Sequence, residues 1–424
     1  MILVYVTLPI LLVAFGTPVF LVFLTVVAVA MLFFLNLPPV ALQQVMFGGL
    51  DNFALLAIPF FVFAGQLVTT SGIASRLIIW AMAMVGRVPG SLAVSTVAAS
   101  TALGAISGSA VASVAALSKA VYPKLIAAGY GERRAGGLLA SSGAVDIVIP
   151  PSIAMILYGM AAEQSIPRLF MAGILPAMLM TAILAAYVIY DAVRRQIPAD
   201  GAKFTARTAL RATKDAFWAI LMPVFVLGGI YLGVFSPSEA GGFACAYAII
   251  IGLFVYRSMS LKDVLDAAGA AAMLSAQILV VVAAASVVTW VITTQGVPQD
   301  IIRWITAQEL SSFSFLLAVN LLLLVIGAFL DPTSAILVFA PLLVPIAIAL
   351  GIDPIHFGII MTVNLAIGMF TPPFGLNIFV AQQVTGLPAH TLYQGVAPFV
   401  VALILALTII TYVPALSLTL GQSL

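Results

Sequence analysis
Apolar runs follow one another along the whole chain, and short polar breaks cut them into lengths that suit a lipid bilayer. A spanning helix needs about 20 predominantly apolar residues. The runs predict spans at 2–14 with 17–36, 53–71, 135–164, 169–190, 218–234, 239–256, 273–294, 355–385 and 391–413. Two more apolar regions, 91–121 and 313–350, are interrupted near their centres. The one clearly polar stretch, 191–217, carries Arg194, Arg195, Lys203, Arg207, Arg211 and Lys214. It reads as an aqueous linker between a first half, 1–190, and a second half, 218–424. The fold class expected is an all-α polytopic membrane protein.

Composition agrees. Hydrophobic residues fill 63% of 424 positions and charged residues 7%, too little charge to coat a soluble domain of this size. No basic stripe with interleaved aromatics appears, which argues against nucleic acid as a partner and leaves membrane lipid as the main surrounding. The single cysteine, Cys245, rules out an intramolecular disulfide and argues against a thiolate metal cluster. Ile2 to Ala14 lacks a basic leader and a small-residue cleavage site, so it reads as a membrane segment and not as a removable signal peptide. The two histidines, His356 and His390, sit in loop-like stretches near span ends and read as interfacial. No Gly-x4-Gly-Lys-Ser/Thr loop is present, and no nucleophile–base set can be assembled. Neither an enzyme nor a bound organic cofactor is expected.

The halves repeat. At a constant offset of 222 residues Pro123 meets Pro345, Gly129 meets Gly351, Gly136 meets Gly358, Pro150-Pro151 meets Pro372-Pro373, Gly173 meets Gly395 and Pro176 meets Pro398. Matches of conformationally special residues at one fixed offset indicate an internal repeat. Cytoplasmic loops carry the Lys/Arg excess. With 191–217 placed inside, Arg76, Arg87, Lys119, Lys124, Arg133, Arg134, Arg257 and Lys262 join the six linker cations, and only Arg168 and Arg303 fall outside. That threading sets the base of region 91–121 in the cytoplasm and that of 313–350 on the opposite side. The repeats are then inverted, a design common among secondary transporters. Segments 73–86 and 298–310, each with Trp and Arg, suit helices lying along the surface.

Chemistry concentrates at the breaks. The first interrupted region reads Thr101-Ala-Leu-Gly-Ala-Ile-Ser-Gly-Ser-Ala-Val-Ala-Ser113, and each of its arms is short for a span. A re-entrant helical hairpin with Gly108-Ser109 at its tip satisfies the pattern. The second region has Gly327-Ala-Phe-Leu-Asp-Pro-Thr-Ser334 at the matching place, where Pro332 ends one arm and starts the next. Free carbonyls at such a tip, with Ser, Thr and Asp oxygens, suit a sodium ion. Free amides at the next helix start suit an anion. Small residues also serve simply to pack helices closely. After each hairpin comes a Pro-Pro pair: Ser141-Ser-Gly-Ala-Val-Asp-Ile-Val-Ile-Pro-Pro-Ser152 and Asn364-Leu-Ala-Ile-Gly-Met-Phe-Thr-Pro-Pro-Phe-Gly-Leu-Asn377. Consecutive prolines cannot lie in a helix interior, so 135–164 and 355–385 are expected as broken helices. Asp146 and Asp331 are the carboxylates expected at mid-membrane depth, where insertion scales put the cost of a charge at about 2.5–3.5 kcal/mol. Asp331 reads either as an ion ligand or as a helix N-cap. Asp146 reads equally as functional or structural.

The stretches Gly104–Ser113, Ile149–Ser152, Asp331–Leu337 and Asn364–Asn377, in this order, resemble the large membrane (M) subunit of tripartite ATP-independent periplasmic (TRAP) transporters over essentially the whole chain. Asp146 departs from that pattern, which has a small residue there. The resemblance implies a multi-pass protein of the bacterial inner membrane that imports an organic anion, of carboxylate or sialic acid type, driven by sodium. It implies a rigid scaffold and a mobile transport domain moving as an elevator. It also implies two partners, a periplasmic solute-binding protein and a small four-helix membrane subunit, the latter expected as a separate chain. Ser107, Gly108, Ser109, Val148 and Pro150 are expected around one sodium, largely through carbonyls. Asp331, Thr333, Ser334, Asn364, Gly368 and Thr371 are expected around a second. Ser109, Ser152, Thr333 and Asn377 are expected to line the substrate pocket. The rival reading is a stand-alone ion-coupled dicarboxylate or anion transporter with similar hairpins.

Overall fold
The computed structural model describes residues 7–9, 11–13, 15–34, 38–86, 88–197 and 205–421. Arg87, Lys203 and most of the first predicted segment lie outside these residues. Everything described is helix, turn or loop. Within a bilayer this follows from hydrogen bonding, because an α-helix satisfies its own amides and carbonyls where water cannot. Many large apolar side chains face outward, among them Phe47, Leu232, Leu321 and Val401, as contact with hydrocarbon requires.

The chain opens with α1 (Val19–Phe33), α2 (Pro39–Leu50), a short 3₁₀ turn, α3 (Ala57–Thr70) and α4 (Ile73–Val85). The first interrupted region folds as α5 (Ser91–Ser107) and α6 (Ala110–Ala127), packed on each other. Next come α7 (Glu132–Ser142), α8 (Ala144–Val148) and α9 (Ile153–Ala161), which together form a broken span bent by 43°. The half closes with α10 (Ile166–Arg194). The linker holds α11 (Ala206–Asp215), and the second half follows with α12 (Phe217–Tyr231), α13 (Pro237–Ile250), α14 (Leu261–Thr294) and α15 (Val297–Ala307). It continues with a hairpin of α16 (Ser312–Gly327) and α17 (Pro332–Ala349), a broken pair α18 (Pro354–Gly368) and α19 (Leu376–Thr385), then α20 (Ala389–Tyr412) and α21 (Ala415–Gly421). Pro123 and Pro345 sit inside α6 and α17, and Pro176 and Pro398 inside α10 and α20.

Several boundaries differ from expectation, each for a local reason. The linker is partly helical. Thr205 and Thr208 form a reciprocal cap that starts α11, a helix with no buried residue, and Trp80 Nε1 donates to Thr213 Oγ1 at 3.1 Å to tie it to α4. α14 starts at Leu261, twelve residues before the apolar run, because Ser260 and Asp263 form a capping box. α2 and α21 were not predicted; glutamines and glycines interrupt the apolar pattern of the first, and the second has 7 residues. The second arm of the first hairpin, α6, is 18 residues long and apolar enough to cross a membrane, as is α17, so α6 is not short for a span. At 1.5 Å per residue each covers about 27 Å. The first arms, of 17 and 16 residues, stay shorter because Gly108 and the Asp331-Pro332 turn end them. His356 lies not in a loop but in the first turn of α18, buried, with its Nε2 3.2 Å from the Thr411 carbonyl.

Two groups of helices pack internally. α14 lies along α1, α2 and α3, and α13 packs on α3. The hairpins and broken helices form the other group with α10 and α20, where α7 lies along α20 and α5 against α10. The surface segment α4 is held at Arg76, whose guanidinium lies 3.6 Å over the Tyr256 ring.

The sidedness read from charge has a direct check. Single cysteines at Lys203 and Gln299, in a background with Cys245 replaced, are probed with an impermeant thiol reagent on intact cells. Residue 299 is expected to label and 203 to be protected; the reverse pattern overturns the orientation.

Candidate functional site
The site is built where each hairpin tip meets a helix break. Gly108 ends α5 with φ of 56°, a left-handed conformation that glycine adopts freely. A Cβ there would also come within 2.6 Å of the Pro151 carbonyl, so the tip can press on the first Pro-Pro break only as glycine. Ser109 caps α6, its Oγ accepting from the Ala112 amide at 3.4 Å. Ser107 is buried at the end of α5, its Oγ 3.3 Å from Ser113 Oγ. Ser152 caps α9 by accepting from the Met155 amide at 3.3 Å, and its Cα lies close to Gly108. Pro150 is buried within the break. The structure thus brings Ser107, Gly108, Ser109, Pro150 and Ser152 together. It turns the Val148 carbonyl toward Gly173 on α10 instead, and the carbonyl that meets the tip is that of Pro151.

The second tip follows the same plan. Asp331 caps α17: Oδ2 accepts from the Ser334 amide at 3.2 Å and Oδ1 from Ser334 Oγ at 2.6 Å. That arrangement occupies both carboxylate oxygens within the protein, and Thr333 stands in the same first turn, half-buried. Gly327 at the end of α16 lies directly on Gly368 at the end of α18, an approach that leaves no room for a Cβ on either. Thr371 Oγ1 donates back to the Ile367 carbonyl at 2.7 Å.

Asn364 is fully buried on α18 and held in one orientation. Its Nδ2 donates to Asn320 Oδ1 on α16 at 2.8 Å and to the Ile360 carbonyl at 2.9 Å. Asn320 Nδ2 in turn donates to Thr411 Oγ1 at 3.0 Å. With both amide protons used, Asn364 Oδ1 is left as a buried acceptor without a protein donor. Asn377, at the start of α19, is also fully buried, and neither its Oδ1 nor its Nδ2 has a protein partner.

The halves are interleaved. α19 of the second break packs on α6 of the first hairpin, and α9 of the first break packs on α17 of the second. Asn377 consequently reaches Gly143, where a Cβ would meet Asn377 Nδ2 at 3.1 Å and the Ala110 carbonyl at 3.2 Å. Helix N-termini capped by Ser109, Ser152 and Asp331 therefore join one assembly with buried, unused amide oxygens. Amide ends suit an anion; hard oxygen donors such as Asn364 Oδ1 suit a hard cation. Sequence reasoning missed Asn320, Thr411, Ser100, Ser113 and Pro151. Ser113 and Pro151 stood within the quoted motifs, and Asn320 had a visible signal as a lone amide in the apolar run Leu316–Val325.

Replacing Asn320 with Leu strips the acceptor from a buried Asn364 donor, which costs about 1–3 kcal/mol. A clear fall in the thermal unfolding midpoint of the purified protein is expected. An unchanged midpoint would show that Asn364 does not depend on this bond.

Comparison with known proteins places this geometry. Residues 6–416 match the family described as "Tripartite ATP-independent periplasmic transporter, DctM component". The C4-dicarboxylate TRAP transporter large permease protein DctM of Pseudomonas aeruginosa is 41% identical over 370 residues, covering 87% of this chain and 86% of that one. The sialic acid TRAP transporter large permease protein SiaM of Vibrio cholerae is 35% identical over 382 residues, covering 89% and 88%. In fold, the chain is similar to the crystal structure of the Alcanivorax borkumensis YdaH transporter, with a TM-score of 0.54, 15% identity, and coverage of 84% and 86%. The chain belongs to the DctM component family, the large permease subunits of tripartite ATP-independent periplasmic transporters.

Proposed function
We propose that this subunit imports an organic anion, of carboxylate or sialic acid type, across the bacterial inner membrane with sodium as the coupling ion, and that it acts as a transporter and not as an enzyme. The observation that carries the reading is the meeting of two hairpin tips with two helix breaks, where capped helix N-termini converge with the unused oxygens of Asn364 and Asn377. The named substrates of the similar permeases, a C4-dicarboxylate and sialic acid, both carry carboxylates. Helix amides then hold the anion, and oxygens at the tips hold the cation: Ser107, Gly108, Ser109 and Pro150, with Pro151 in place of Val148, at the first tip, and Asp331, Thr333, Ser334, Asn364, Gly368 and Thr371 at the second. Ser109, Ser152, Thr333 and Asn377 line the anion pocket between them.

The offset of 222 residues supports the inverted-repeat reading. Ser142 and Asn364 correspond under it, and each is tied to the first arm of its hairpin: Ser100 Oγ donates to the Ser142 main-chain carbonyl at 2.9 Å, and Asn364 Nδ2 donates to Asn320 Oδ1 at 2.8 Å. The hairpins and broken helices pack on one another with α10 and α20 and meet the α1, α2, α3, α13 and α14 group where α17 lies on α14 and α5 on α3; this division suits a transport domain moving past a scaffold as an elevator. The words "tripartite" and "large permease" in the family and relative descriptions support a small membrane subunit and a periplasmic binding protein as partners.

Reconstitution tests the reading. In proteoliposomes an external sodium gradient is expected to drive uptake of a C4-dicarboxylate or sialic acid only with the small subunit and the binding protein present. Robust uptake by this chain alone would favour a stand-alone transporter, and indifference to sodium would remove the coupling. Within that assay Asp331→Asn separates two roles, since Asn caps a helix about as well as Asp but carries no charge. If the charge helps hold the ion, half-maximal uptake needs several-fold more sodium. If sodium dependence stays the same, Asp331 serves as a cap alone.

A further inference from the structure
Asp146 is a carboxylate with no solvent exposure, on the short helix α8 just before the first Pro-Pro break. Its Oδ1 accepts from Ser100 Oγ at 2.8 Å, a hydroxyl shared with the Ser142 carbonyl at 2.9 Å. Its Oδ2 has no protein donor. Gly104 of α5 packs directly on the Asp146 backbone, with room for a Cβ only 2.6 Å from Asp146 Cα, so the carboxyl is pinned beside the first hairpin. The Ser113 hydroxyl of α6 lies next to this carboxyl. Ser113 Oγ also lies 3.3 Å from Ser107 Oγ, so the two hydroxyls and the carboxyl form one cluster.

Among the described residues no side-chain cation pairs with the carboxylate. The ion pairs among the described residues are Arg134–Asp191, Arg195–Asp191 and Arg303–Asp300. Of the cations on helices packed against α8, Lys119 and Lys124 lie in the last three turns of α6, Arg133 and Arg134 in the first turn of α7, and Arg168 and Arg194 at the two ends of α10. A buried charge without a partner is strongly unfavourable, and a bound cation offsets that cost. A carboxylate and hydroxyl oxygens, with no nitrogen or sulfur donor, are the set a hard monovalent cation takes.

We propose that Asp146 Oδ2, with the hydroxyls of Ser113 and Ser107, forms a sodium site that carries its own negative charge at the first hairpin. The proposal rests on sodium as the coupling ion. It gives this chain a tighter first ion site than neutral oxygens alone would make. It also keeps an anionic substrate next to a neutralised carboxylate, so that repulsion from Asp146 is removed only when the cation is in place. Ion and anion are thereby made to bind together.

The test is sodium titration of the purified protein, read as the thermal unfolding midpoint in NaCl against choline chloride at constant ionic strength. A ligand that binds only the folded state raises that midpoint. For the wild type a sodium-specific rise is expected. For Asp146→Asn, which keeps the shape and loses the charge, the sodium needed for half of the rise is expected to increase about tenfold or more. Ser113→Ala, which removes a neutral oxygen, is expected to shift it in the same direction by less, and it decides the matter if Asp146→Asn does not fold. A wild-type titration curve for the variant that is read overturns the proposal while leaving sodium coupling intact, provided that Asn364→Ala weakens the response. A wild type without any sodium-specific rise overturns the coupling reading and the Asp146 site together.

Discussion
Inside hydrocarbon a backbone amide or carbonyl has no water to turn to, and each one left free costs several kcal/mol. This chain nevertheless interrupts helices at four places: at Gly108, at Pro150-Pro151, at Asp331-Pro332 and at Pro372-Pro373. Each interruption exposes the groups that a continuous helix would have paired. The fold answers by setting the interruptions against one another, tip against break, and by capping the new helix starts with Ser109, Ser152 and Asp331. What capping does not cover is the stock of polar atoms from which a binding site is made.

Close approach is the second requirement, and glycine supplies it. Gly327 lies on Gly368, Gly137 on Gly395, and Gly108 on the Pro151 carbonyl. Without a hydrophobic force between helices in lipid, small residues let backbones touch and dispersion hold them. The same contacts set depth: they seat the tips on the breaks, and so decide that Asn364, Asn377 and Asp146 are buried and not merely near a surface. Exposed to water, an unsatisfied amide oxygen would say nothing. Fully buried, it is an oxygen that no protein donor satisfies.

Much of this was legible beforehand. The hairpins appear at 91–107 with 110–127 and at 312–327 with 332–349; the second falls within one residue of the region expected from the apolar pattern, and the first runs six residues past it. The broken helices fall where consecutive prolines forbid a continuous one. Boundaries moved where capping outweighed hydropathy, as at Ser260 for α14 and Thr205 for α11. The length of α6 was underestimated because apolar content alone does not say where an arm stops. For Asp331 the sequence left two roles open, and the geometry fills the cap with both oxygens.

The sequence by itself determined the membrane habit, the order of the interruptions at the hairpin tips and proline pairs, and the polar residue types placed at them. Those properties follow from local chemistry: segment length against bilayer thickness, the missing amide of proline, and the freedom of glycine. Only the tertiary structure decided which polar atoms end up used and which remain free. Asn364 and Asn320 stand 44 residues apart and Asp146 and Ser100 stand 46 apart, yet each pair meets at 2.8 Å. A side chain's spare oxygen is defined by what its neighbours in space have already taken, and no periodicity along the chain records that.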